Sequence, residues 1–214
     1  MNVLFVFAHP DDESFGPAGT IARHVEQGDN VWVMSLCKGD RPGNEQVQGT
    51  RQESFNLACD ILGVTPILCD SNDGWLNYQY AVKQISDNVN EIKPQVVYTH
   101  NISDIHIDHR TTAEAVMVAC RPKAGSSVKR LLMCENAVTD WTFGQIEPVF
   151  VANVFHDVSK HIHKKAQVMG LYQTEVYEHP DARSIQSMRL LSMNRGKQVG
   201  MEYAEAFKLV YDIN

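Results

Sequence analysis

Residues 3–13 read VLFVFAHPDDE, six apolar residues that break abruptly into histidine, proline and three carboxylates. A continuous apolar run of this kind suits a strand buried on both faces, the usual condition of strands in a parallel sheet. Open α/β sheets gather their ligands at the C-terminal ends of strands, so His9, Asp11, Asp12 and Glu13 fall where chemistry is expected. Outward from this stretch, residues 16–27 carry helical spacing and stop at Gly28. Residues 30–37, NVWVMSLC, then form a second strand before the turn Lys38-Gly39-Asp40, which completes one βαβ unit.

The alternation continues along the chain. Residues 45–62 read as a helix capped by Gly63, 65–69 as a short strand, 80–92 as a helix ended by Pro94, and QVVYTH (95–100) as a strand. A helix over 110–120 and strands over 129–134 and 148–155 follow, and from Val158 onward the chain reads as helical, with a loop over 178–184. This pattern predicts one domain over 1–214, a three-layer α/β/α sandwich with a mainly parallel, Rossmann-like sheet. The Gly- and Pro-containing stretch 38–49 reads as a loop, over the active site or simply at the surface.

Composition narrows the partners. The chain is 43% hydrophobic and 21% charged, enough apolar residue for a large core and too little bias for extensive disorder. Net charge is −7 and the basic residues are scattered, so neither nucleic acid nor stable membrane association is expected. The start lacks a basic leader and reads as a strand rather than a signal peptide, and no apolar run approaches a membrane span. Five widely spaced cysteines without a CxxC pair fit reduced core thiols and a cytoplasmic location. Subunit number is left open by the sequence, a homo-oligomer included.

A second polar cluster, DIHIDH (104–109), follows the strand QVVYTH and should share the rim with His9-Pro10-Asp11-Asp12. Imidazoles and carboxylates together are the ligand set of a zinc or ferrous site. His106 and His109, three apart at a helix start, share one face, while Asp108 points elsewhere and can orient one of them. Of the adjacent pair Asp11 and Asp12, one can bind a metal while the other faces its water. A nearby carboxylate then takes the water's proton during attack on an amide, and a protonated histidine backed by a carboxylate stabilises the oxyanion and protonates the amine. Taken alone, DDE before a helix is an ordinary cap and HIDH a weak signal; together, at strand ends, they are specific.

AHPDDE (8–13) and HIDH (106–109) resemble the PIG-L, or LmbE-like, deacetylase family. The resemblance extends to Gly19, Lys38-Gly39-Asp40, Arg51-Gln52-Glu53, Leu62-Gly63, Asp73-Gly74 and the closing Arg195-Gly196 and Tyr203–Phe207 stretch. It implies a zinc-dependent, or Fe2+-dependent, hydrolase that removes the N-acetyl group from an N-acetylglucosamine-type conjugate, a small-molecule amino-sugar substrate. Carried over residue by residue, it implies His9, Asp12 and His109 as metal ligands and Asp11 as general base. It further implies His106, supported by Asp108, as oxyanion stabiliser and acid, with Arg51 and Asp73 binding substrate. Glu13 is read as ordering the loop through backbone amides. The chain departs from common family forms at Gly16-Pro17-Ala18-Gly19, where a Gly-Gly pair is usual, and at Asp104-Ile105, where an aromatic sometimes helps bind the sugar.

Plainer readings stand beside these. Arg51 suits a surface ion pair, His100 a satisfied core or rim histidine rather than a support behind the ligands, and Trp75, Tyr78 and Trp141 core packing rather than sugar stacking. His156, His161, His163 and His179 read as surface residues. The rival functions are a nucleotide-sugar or dinucleotide-binding module without metal chemistry, disfavoured because no GxGxxG follows the first strand, and a phosphoesterase, which would need more carboxylate ligands.

Overall fold

Strand β1 (Asn2–Phe7) lies inside a seven-stranded sheet because both of its faces are apolar: Val3, Phe5 and Phe7 enter one core, Leu4 and Val6 the other. The computed structural model describes residues 1–40, 49–136 and 149–213. After β1 come α1 (Asp12–Phe15), α2 (Ala18–Glu26), β2 (Asn30–Cys37), α3 (Thr50–Leu62), β3 (Thr65–Ser71) and α4 (Tyr78–Ile92). Then follow β4 (Val96–His100), α5 (Ile107–Ala119), β5 (Arg130–Cys134), β6 (Val154–Asp157), α6 (Ile162–Met169), α7 (Ile185–Val199) and β7 (Ala204–Asp212).

The sheet order is β3-β2-β1-β4-β5-β7-β6, with β1 to β5 parallel and β7 antiparallel to both β5 and β6. Ile21 of α2, Phe55 and Leu62 of α3 and Val168 of α6 cover one face; Ile85 and Val89 of α4 and Val116 of α5 cover the other. These are the three layers expected from the sequence. The chain steps outward from β1 through β2 to β3, and α4 then carries it back to β4 on the opposite side of β1. The loops leaving β1 and β4 therefore diverge at a topological switch point and open a crevice between them.

Three expectations need correction. The helix expected to begin at 45 starts at Thr50 among the described residues, behind Gly49 at φ 80°, and residues 41–48, most of the expected loop, lie outside the described residues. The C-terminal third is not helical throughout: β7 inserts between β5 and β6. Its first half is buried on both faces, Ala204 and Ala206 as well as Glu205 and Phe207. His156, read as a surface residue, is also buried and packs beside Tyr98 and Phe207.

Buried Glu205 accepts the amides of Gly19 and Thr20 (3.0 and 2.7 Å), serving the first turn of α2 in place of a local cap. Lys165 of α6 neutralises it at 2.7 Å and also donates to the carbonyl of Gly16. Gly19 is required here, since a Cβ would stand 2.8 Å from Val158 and 3.0 Å from Glu205. Sheet and helix layer are thereby clamped to the segment that follows Asp11 and Asp12. Lys165→Met should leave a buried, uncompensated carboxylate and cost about 3 kcal/mol in chemical denaturation; a loss below about 1 kcal/mol would show that the pair holds little.

Candidate active site

The crevice holds a cavity of about 700 Å³ lined by His9, Asp11, Asp12, Arg51, Asp73, His106, His109 and Arg183 among others. His9 enters from the end of β1, Asp12 from the first turn of α1, and His109 from the first turn of α5. Nδ1 of His9 lies 3.2 Å from Nε2 of His109, and the Asp12 carboxylate lies 3.4 Å from the former and 3.3 Å from the latter. Three side chains from two distant parts of the sequence thus converge on one point.

Their tautomers follow from the partners behind them. Nε2 of His9 meets Asp108 at 3.0 Å, and Nδ1 of His109 meets Asp104 at 2.8 Å. A carboxylate only accepts, so in the neutral imidazoles each proton points outward and two lone pairs face each other across the centre. Only a positive charge reconciles them. Burial pulls His9 down, yet Asp108 and Asp12 outweigh it and raise the imidazole to about 9. Burial likewise opposes His109, and Asp12 with Asp104 raises it to about 10. The Asp12 carboxyl is pushed up by burial but held well below the carboxylate range by His109 and His100. Opposed imidazoles backed by carboxylates, with a third oxygen donor beside them, fit a divalent cation such as zinc or ferrous iron.

Asp11 adopts φ 125° and ψ −29°, a conformation that costs a side-chain-bearing residue on the order of 1–3 kcal/mol and persists only where the surroundings impose it. Three contacts impose it. The Asp11 amide donates to Glu13 Oε2 (3.1 Å), its carbonyl accepts from Ser14 and Phe15 (2.8 and 3.0 Å), and its carboxylate accepts from Arg51 Nη2 at 2.9 Å. Glu13, fully buried, takes further bonds from Ser14 Oγ and Tyr172 Oη, both at 2.6 Å. The sharp turn lets neighbouring carboxylates serve different places, Asp12 the converging donors and Asp11 the cavity beside them. Burial raises the Asp11 carboxyl to about 6 in spite of Arg51.

Residues 4–120 match the family model described as PIG-L: GlcNAc-PI de-N-acetylase. The chain belongs to the PIG-L family. Among its relatives, a probable N-acetyl-alpha-D-glucosaminyl L-malate deacetylase 2 of Bacillus anthracis is 31% identical over 55% of this chain and 58% of that protein. Across the first curated relatives the match spans 51% to 60% of their length. Among solved structures, GalB of Pseudomonas putida KT2440, a 4-carboxy-2-hydroxymuconate hydratase, superposes with TM-score 0.80 at 20% identity, over 100% of this chain and 97% of that one. The N,N'-diacetylchitobiose deacetylase of Pyrococcus horikoshii superposes with TM-score 0.78 at 16% identity, over 98% and 84%. At these identities the two structures speak to the fold alone.

Within this PIG-L chain several expected contacts differ. The Asp108 carboxylate was expected to support His106; it binds His9 and the amides of Gly74 (2.6 Å) and Leu76 (3.4 Å) instead. His106 caps α5, its Nδ1 accepting the Asp108 amide at 3.2 Å, so its neutral ring carries the proton on Nε2. Burial and the charges of His9 and His109 lower its imidazole to about 4. Arg51, expected to reach substrate, is buried and spends its nitrogens on Pro10 O, Asp11 and Asp73. Gly39, at φ 84°, allows this close approach, since a Cβ there would stand 2.9 Å from Arg51. Asp73 lines the cavity and pairs with Arg51.

Sequence reasoning missed four contributors: Asp104 behind His109, Asn136 donating to Asp104 (2.6 Å), Tyr172 behind Glu13, and Arg183 in the cavity wall. His100 is buried and hydrogen-bonded, accepting the Ala8 amide, and it also stacks on His109 at 3.9 Å and lies 3.3 Å from Asp12. Trp75 is 74% exposed and not core, and Trp141 lies outside the described residues. If the three donors form one site, Asp12→Ala abolishes stoichiometric zinc binding in calorimetry, and Asp104→Ala weakens it about 10–100-fold. Undiminished binding by Asp12→Ala would dissolve the trio.

Proposed function

We propose that this chain is a metal-dependent N-deacetylase that hydrolyses the N-acetyl group of an N-acetylglucosamine-type conjugate. The observation that carries it is the convergence of the His9 and His109 imidazole nitrogens, 3.2 Å apart, on Asp12, with the carboxylate of Asp11, whose backbone is held at φ 125°, at their side in a 700 Å³ cavity. Family membership and the deacetylase named among its relatives support the same reaction.

His9 Nδ1, Asp12 and His109 Nε2 would hold zinc or Fe2+. A divalent cation so bound supplies two things, acidification of a water to a pKa of about 7 and polarisation of the acyl oxygen. Asp11 accepts the proton as the water oxygen adds to the carbonyl carbon, and a carboxyl near 6 is poised to do so around neutral pH. Arg51 holds that carboxylate in place. His106 donates its Nε2 hydrogen to the oxygen that gains charge, a task a neutral ring performs. The C–N bond then breaks, and the proton held by Asp11 passes to the leaving nitrogen, giving acetate and a free amine. Asp108 acts on His9 by fixing its tautomer. Five free, buried cysteines accord with a reducing, cytoplasmic setting, and no described helix is long and apolar enough to cross a membrane.

Acetate release from N-acetylglucosaminyl conjugates tests the reading. Release should require metal, stopping with a chelator and returning with zinc or Fe2+; no release from any conjugate would favour a binding module. In Asp11→Asn, metal content should stay as in the parent while kcat falls by about 10²–10⁴. Equal loss of metal and turnover would contradict the separation of ligand from base.

A further inference from the structure

Arg51, expected to bind substrate, lines the cavity with its three nitrogens already hydrogen-bonded to Pro10, Asp11 and Asp73. The cavity wall contains one other arginine among the described residues, Arg183, from the segment between α6 and α7. Its guanidinium lies 5.5 Å from the centre of the Phe15 ring, and Phe15 lines the same cavity at the end of α1. Nη1 donates at 2.6 Å to Glu175, whose carboxylate is buried and sits 3.9 Å from Arg51 on its other side. Cation–π contact and ion pair together hold the guanidinium at the cavity wall. The described bonds of the Arg183 side chain use Nη1 alone, and the side chain is 28% exposed where it borders the cavity.

A planar cation so fixed, with donors to spare, is built for a planar or tetrahedral anion: a guanidinium offers five N–H groups in a rigid fork that matches carboxylate and phosphate oxygens. The same cavity is also lined by Ile105 and Ile107, which give it apolar surface. We propose that Arg183 is a specificity-determining residue that binds an anionic group, carboxylate or phosphate, on the part of the substrate attached to the amino sugar. The inference rests on the deacetylase reading for the reaction, and adds the charge of the substrate and the residue that senses it. Glu175 holds the guanidinium in position without reaching the substrate.

The experiment uses the metal-loaded enzyme and three N-acetylglucosaminides alike except in the aglycone: carboxylate-bearing, phosphate-bearing, and the neutral methyl ester of the first. Acetate release gives kcat/KM, and calorimetry on the same compounds gives Kd without need of turnover. The parent should prefer an anionic conjugate to the neutral one, and Arg183→Gln should reduce that preference by at least about tenfold, mainly through KM. Whichever anionic conjugate loses more identifies the group recognised. Arg183→Lys, which keeps charge but not the fork, should fall between parent and Arg183→Gln. Equal effects on charged and neutral conjugates, or no preference in the parent, would overturn the proposal while leaving the reaction standing. Charge-dependent binding through Arg183 without acetate release would support the subsite and reject the deacetylase reading.

Discussion

Two imidazole nitrogens 3.2 Å apart, with a carboxylate behind each ring and a third beside the gap, bring one of the densest sets of polar groups in the described residues to a single point. The rest of the site is arranged around that constraint. Asp104 and Asp108 decide which nitrogens face inward, Asp12 supplies the third donor, and the divergence of the β1 and β4 loops brings His9 and His109 together across 100 residues. The sheet order does this without distortion, because β1 and β4 are paired in parallel and end on the same side.

The cost of the arrangement falls on Asp11. Placing adjacent carboxylates in separate roles needs a backbone turn that L-residues avoid, and the bonds holding it come from distant parts of the chain. Arg51 arrives from α3, and Tyr172, behind Glu13, follows α6. The Lys165–Glu205 pair clamps the next segment, from Gly16 to Thr20, to α6 and β7. The six residues AHPDDE and the turn after them are thus held in part by Lys165, Tyr172 and Glu205 of the C-terminal third, which carries Glu175 and Arg183 as well.

Much of this was legible in the sequence. VLFVFA reads as a doubly buried strand because apolar residues occupy both of its faces, and the rim position of AHPDDE and HIDH follows from strand ends alone. What stayed hidden has physical reasons. β7 escaped because Glu205, a charge that reads as surface, is neutralised by a lysine 40 residues away. The partner of Asp108 was misassigned since spacing places His106 beside it, whereas the first turn of α5 offers His106 only the backbone amide of Asp108 and sends its carboxylate to His9. Arg183 and Tyr172 belong to no motif, and only tertiary packing reveals them.

The central claim is that inward-facing tautomers of His9 and His109 await a cation. A crystal of the protein grown with zinc, with the metal located by anomalous scattering, tests it most directly. The account expects one ion bound by Nδ1 of His9, Nε2 of His109 and the Asp12 carboxylate, each at about 2.0–2.2 Å. An ion bound through the opposite imidazole nitrogens, or one lying elsewhere in the cavity, would contradict it.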